Sequence, residues 1–116
     1  MGIGTRPCGK DGLKGFAASP GHVTGKAGVI SGPAEFAQMR QGAILVTRIT
    51  TPAWTPLFAL AAGIVTDVGG PLSHGSIVAR EYHIPAVLGT GAATERIHNE
   101  QTVAVDGDAG TVTLSR

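Results

Sequence analysis

Aromatic residues make up only 4% of this 116-residue chain, one Trp, one Tyr and three Phe. A core built on large rings is therefore excluded, and small and β-branched side chains must fill the interior. Cys8 is the only cysteine, so no internal disulfide can form; this fits a reducing compartment, and the cytoplasm is the expected location. Charged residues are scarce at 15%, and the formal net charge is +1. That balance argues against a nucleic-acid partner, which would need a strongly basic surface, while a hydrophobic content of 42% argues against disorder. No apolar run approaches the ~20 residues that span a bilayer, and no charged segment followed by an apolar run opens the sequence. One soluble domain of ordinary size, with no membrane partner, is the expectation.

What the chain has in quantity is glycine and proline, 18 and seven residues, the composition of short elements joined by tight turns. Residues 1–14 carry Gly2, Gly4, Gly9 and Gly12 among polar residues without apolar periodicity, and read as a flexible lead or linker. Apolar runs over 27–31, 43–47, 64–68, 85–88, 102–105 and 111–114 read as strands. Segments 33–40, 56–62 and 74–82 read as helices between them. Strands alternating with helices predict an α/β domain over 15–116, and a hairpin about Asp106-Gly107-Asp108-Ala109-Gly110 makes its sheet mixed.

The most informative segment is Gly69-Gly70-Pro71-Leu72-Ser73-His74-Gly75-Ser76, running directly into Ile77-Val78-Ala79-Arg80-Glu81-Tyr82. A glycine-rich turn opens a helix there, with Ser73 as N-cap. A helix start presents backbone N–H groups without intrahelical partners, together with the positive end of the macrodipole, and so favours an anion such as phosphate. A histidine at that point can accept a phosphoryl group covalently. His74 is the candidate catalytic residue, with Gly69, Gly70, Ser73 and Gly75 as the candidate phosphate cradle. Thr50 and Thr51 could add hydroxyl donors. Arg80 is either part of a solvated helix face or a docking contact. The bland alternative makes His74 an exposed first-turn residue of a non-catalytic ligand-binding or interaction module.

Other motifs are weaker. Gly4-Thr5-Arg6-Pro7-Cys8-Gly9-Lys10-Asp11 nearly spells a nucleotide phosphate loop, but Asp11 replaces the required hydroxyl and no strand can precede it. Gly89-Thr90-Gly91-Ala92-Ala93-Thr94 approaches the dinucleotide fingerprint and ends in Thr94 instead of Gly or Ala. His22, His83 and His98 lack a second ligand at metal-binding spacing, so they read as surface or capping residues and no metal site is proposed. Trp54 and Phe58, four residues apart, read as core packing.

The run from Gly63 to Gly89, with Gly69-Gly70-Pro71-Leu72-Ser73-His74, Ala79-Arg80-Glu81 and Ile84-Pro85-Ala86-Val87, closely resembles the mobile phosphohistidine domain of the phosphoenolpyruvate-utilising enzymes. The likeness extends to Ala18-Ser19-Pro20-Gly21, Gly42 to Thr47, Thr50-Thr51-Pro52 and Val105-Asp106-Gly107. It implies a swivelling three-layer β/β/α fold. It also implies a phosphocarrier within a larger phosphotransferase of the kinase or dikinase type, in which His74 takes a phosphoryl group originating from ATP or phosphoenolpyruvate. An acceptor held on another domain, pyruvate or another small molecule, would receive it. The domain itself would bind no cofactor, Mg-ATP belonging to the partner domain, and would not turn over alone. In the synthase and dikinase branches a regulated threonine stands two residues before the histidine. Leu72 occupies that place, so this control is expected to be absent. The resemblance also marks His83 as a position where relatives commonly carry glycine.

Overall fold

The computed structural model describes residues 12–114. Eight strands form one mixed sheet: β1 (Gly12–Lys14), β2 (Phe16–Ser19), β3 (His22–Val29), β4 (Ile44–Thr47), β5 (Gly63–Thr66), β6 (Ala86–Leu88), β7 (Thr102–Asp106) and β8 (Thr111–Leu114), in the order β1-β8-β7-β3-β4-β5-β6-β2. The pairs β3–β4, β4–β5 and β5–β6 are parallel, and every other pair is antiparallel. The helices are α1 (Thr55–Phe58), α2 (His74–Tyr82) and α3 (Ala93–Arg96), with 3-10 turns at Pro33–Gln38 and Pro52–Trp54.

The central strands are apolar on both faces because both faces are covered. Side chains alternate across a strand, and here Leu45, Ile64, Ala86 and Leu88 face a cluster with Trp54, Phe58, Ala79 and Ile84 from the helical layer. Ile44, Val46, Val65 and Val87 face the opposite way, onto Leu13, Val103, Val105, Val112 and Leu114. The long β3 joins the two layers: residues 22–26 pair with β7 and residues 27–29 with β4. The sheet thus folds back on itself under a layer of helices, the β/β/α arrangement that the resemblance implies. Strands buried on both faces read as continuous hydrophobic runs, which is why β4, β5 and β6 are plain in the sequence.

Several boundaries differ from the sequence expectation. Gly12–Lys14, expected within the flexible lead, form a strand paired with β8; residues 1–11, and with them the Gly4–Asp11 motif, lie outside the described residues. Strand β2 and the first half of β3 carry no sequence signal because they sit half exposed at Ala-, Gly- and Lys-containing positions. The segment 33–40 is a 3-10 turn instead of an α-helix, 56–62 shortens to α1 after a Pro52 turn, and α3 is an additional single turn. No helix among the described residues is long and apolar enough to cross a membrane.

Helix α2 ends as a Schellman motif: the N–H of Ile84 donates to Ala79 O at 2.9 Å and that of His83 to Arg80 O at 3.3 Å. This ending requires a left-handed residue, and His83 has φ 58° and ψ 43°. A side chain in that region costs on the order of 1 kcal/mol that glycine avoids. His83→Gly should therefore raise the unfolding midpoint by a few degrees, on the order of 4–8 °C per kcal/mol for a domain of this size. A melt showing no gain would mean that the His83 side chain offsets the strain elsewhere.

Candidate functional site

The crossover from β5 to β6 carries the histidine. It leaves β5 at Thr66, turns through Gly69–Ser73 and enters α2 at His74. Ligand sites of parallel sheets form beyond the carboxyl ends of the strands, and here the segments leaving β4 and β5 lie side by side, the Val68 N–H donating to Arg48 O at 2.9 Å. Thr50 follows β4 and is buried. Its Oγ1 lies 3.1 Å from His74 Nδ1. This contact fixes the imidazole and leaves Nε2 as the ring nitrogen not held by it.

Close approach of these two groups depends on Gly75. A Cβ there would stand 3.1 Å from Thr50 Oγ1, tighter than ordinary contact allows. The Phe58 ring meets the imidazole edge-on at a centroid distance of 5.8 Å, and Tyr82 packs against Phe58 in turn at 6.4 Å. One side of His74 is thus set by a hydroxyl and another by an aromatic edge.

The turn before the helix is wound inward. The Ser73 hydroxyl donates to Gly70 O at 2.8 Å, and Ser73 Oγ accepts the Ser76 N–H at 3.4 Å as the N-cap of α2. Gly69 has φ 150°, a backbone state closed to most side chains. Among the described residues, the N–H groups of Leu72, His74 and Gly75 find no acceptor. They are donors left over at a helix start, where an anion is favoured.

The structure therefore brings His74, Gly69, Gly70, Ser73, Gly75 and Thr50 together. Two roles shift. Thr50 holds the imidazole, and the Ser73 hydroxyl is committed to the turn. Thr51 stands exposed at the N-cap of the Pro52 turn without a side-chain cap bond, so its hydroxyl is not drawn to the imidazole as that of Thr50 is. Trp54 is core, packed edge-on against Phe36 at 4.9 Å. Phe58 is core as well, and sequence reasoning missed its contact with His74; the only signal was its place one short helix after Thr50-Thr51-Pro52. The Gly89–Thr94 segment opens a helix of only four residues and is tied to Asp67 by the Thr94 N–H at 2.9 Å and hydroxyl at 2.6 Å, unlike a dinucleotide loop.

Elsewhere, the β3–β7 register sets His22 opposite Asp106. His22 Nε2 lies 3.0 Å from Asp106 Oδ1 and 3.1 Å from Asp108 Oδ2. This exposed trio is the one group among the described residues with the ligand spacing for a metal ion. The Asp106 carboxyl is held below the usual carboxylate range, mainly by the Ala109 N–H and further by His22 and the Asp108 N–H, against some desolvation. The bonds from Asp108 and Ala109 are those of the hairpin turn itself.

With the site's geometry in view, the family can be assigned. The family described as PEP-utilising enzyme, mobile domain, matches residues 39–110. The chain belongs to that family. It is 52% identical over 105 residues to the prodigiosin synthesizing transferase PigC of Serratia marcescens, covering 90% of this chain and 12% of that protein. It is 51% identical over 100 residues to YvkC of Bacillus subtilis, described as an uncharacterized phosphotransferase, covering 86% of this chain and 12% of that protein. Among solved structures, Enzyme I (nEIt) superposes with a TM-score of 0.61 at 34% identity, over 69% of this chain and 33% of that one. The chain thus spans about an eighth of the length of the two relatives, whose remainder lies outside it.

The site makes its own prediction. Thr50→Val removes the partner of Nδ1, a hydrogen bond worth about 1 kcal/mol. If His74 accepts a phosphoryl group, its phosphorylation should slow by about fivefold and spread over both ring nitrogens, because either tautomer becomes available. Phosphorus NMR of the loaded protein reads both effects, and an unchanged rate on a single nitrogen would contradict the role given to Thr50.

Proposed function

We propose that this mobile domain is a phosphoryl carrier in which His74 Nε2 receives and passes on the phosphate. The observation that carries the reading is the engagement of Nδ1 by Thr50 at 3.1 Å at the start of a nine-residue helix. With the Nδ1–H donating to Thr50 Oγ1, the lone pair of Nε2 is free to attack phosphorus. An N–P bond forms as the bond from phosphorus to the leaving oxygen breaks, and its electron pair departs with that oxygen. Unpaired N–H groups at the helix start stabilise the dianion. In the second step an acceptor oxygen attacks phosphorus, the N–P bond breaks and the electron pair returns to Nε2.

The donor is ATP or phosphoenolpyruvate, bound on another domain that also holds any magnesium. The acceptor sits on a further domain, and a cytoplasmic location fits that supply. Around the histidine, Ile49, Val68, Leu72 and Ile77 are 42, 46, 89 and 48% exposed. Such a set beside Thr50 and His74 suits a surface that another domain of the same enzyme covers during transfer. Leu72 occupies the place of the regulated threonine and offers no hydroxyl, so control by phosphorylation there is absent.

Potassium phosphoramidate, a small-molecule phosphoryl donor for histidine, tests the carrier on this chain alone. The expected product is an acid-labile, alkali-stable phosphate on His74, lost in His74→Ala. Ile77→Gln, which removes exposed apolar surface without adding charge, should load from phosphoramidate as fast as the parent, yet accept phosphate more slowly from an added ATP-binding domain. Labelling that persists in His74→Ala would overturn the site, and a chain that never loads would favour a non-catalytic interaction module.

A further inference from the structure

We infer that Arg80 is a positioning residue for phosphoryl transfer, acting by locking the Gly69–Ser73 turn onto the first turn of α2; this rests on the carrier reading above. Arg80 lies on the exposed side of the helix, yet its guanidinium turns back on the protein. Nη2 donates to Pro71 O at 3.0 Å and to Ser76 Oγ at 3.1 Å, and Nε donates to Ser76 O at 3.3 Å. Ser76 is fully buried, so the fork grips a fixed point on the helix with one part and the preceding turn with another.

The consequence for an anion follows from peptide geometry. A carbonyl oxygen aimed into a phosphate cradle would repel its occupant. Two carbonyls of the turn are engaged by donors of the protein: Gly70 O by the N–H and hydroxyl of Ser73 at 3.1 and 2.8 Å, Pro71 O by Arg80. Because the peptide group is planar and trans, C=O and N–H point in opposite directions. Fixing Pro71 O on Arg80 therefore fixes the Leu72 N–H on the opposite side of the peptide, and that N–H is among the donors of the turn and helix start that find no acceptor among the described residues. Arg80 thus prepares a donor that it does not itself supply.

A planar fork can bridge two carbonyls, whereas an ammonium is a point charge on a flexible stem. Arg80→Lys keeps the charge and loses the bridge; Arg80→Gln loses both. Two measurements separate the possibilities: the rate of His74 phosphorylation by phosphoramidate, and the amide shifts of Leu72, His74 and Gly75 on titration with inorganic phosphate. Both variants are expected to load about tenfold more slowly, the effect of about 1.4 kcal/mol. They should still load on the single nitrogen selected by Thr50, with a weakened phosphate response at the Leu72 amide and thermal midpoints near that of the parent. Parent-like loading and phosphate response in Arg80→Lys would overturn the inference, since charge alone would then suffice. So would a loss of rate that only follows a loss of folded protein. If the parent chain itself takes no phosphate on His74, the carrier reading fails and this inference with it, an outcome distinct from a parent that loads and variants that load equally.

Discussion

One hydrogen bond, Thr50 Oγ1 to His74 Nδ1, organises the chemistry of this domain. On the proposed carrier role it chooses the reactive nitrogen, and it needs two segments that are 24 residues apart in sequence to meet. The parallel pairing of β4 and β5 brings them together. Gly75 leaves the space in which hydroxyl and imidazole approach, and Phe58 closes the ring's other side. A change at Thr50 or Gly75 acts on the imidazole directly, whereas a change at the fully buried Phe58 also costs the core.

The scaffold and the site divide the chain between them. Strands β4, β5 and β6 are buried on both faces and make a rigid platform, with one half of the sheet below and the helices above. The candidate site lies on the turns at the carboxyl ends of that platform. The outermost strands β1 and β8 pair Gly12 with Thr113 at the sheet edge opposite β2, while α2 rests against β2 and β6. Both ends of the described chain therefore leave from one edge, and the histidine sits towards the other.

Much of this is legible in the residues. The run of Val and Ile in β4 and β5, the Ser73 cap and the nine residues of α2 follow from local patterns, and the glycine-rich turn with its histidine points to phosphate. Three things are not legible. Strand β2 and the first half of β3 earn their conformation from pairing with β6 and β7, since their own residues are half exposed and include Gly25 and Lys26. Thr50 reads as a phosphate donor until the fold turns it onto the imidazole. The Arg80 bonds span nine residues to Pro71, and nothing in helix periodicity announces them. His22 teaches the same lesson, since only the register of β3 against β7 reveals its two carboxylates.

The central claim concerns a proton. If Thr50 accepts from His74, the neutral imidazole of the unmodified protein carries its hydrogen on Nδ1 and keeps Nε2 bare. Long-range nitrogen–proton correlation NMR on the 15N-labelled chain, at a pH where His74 is neutral, distinguishes the two tautomers directly. The account predicts the Nδ1–H form for His74. A dominant Nε2–H form would contradict it, because the nitrogen meant to attack phosphorus would then be the one already occupied.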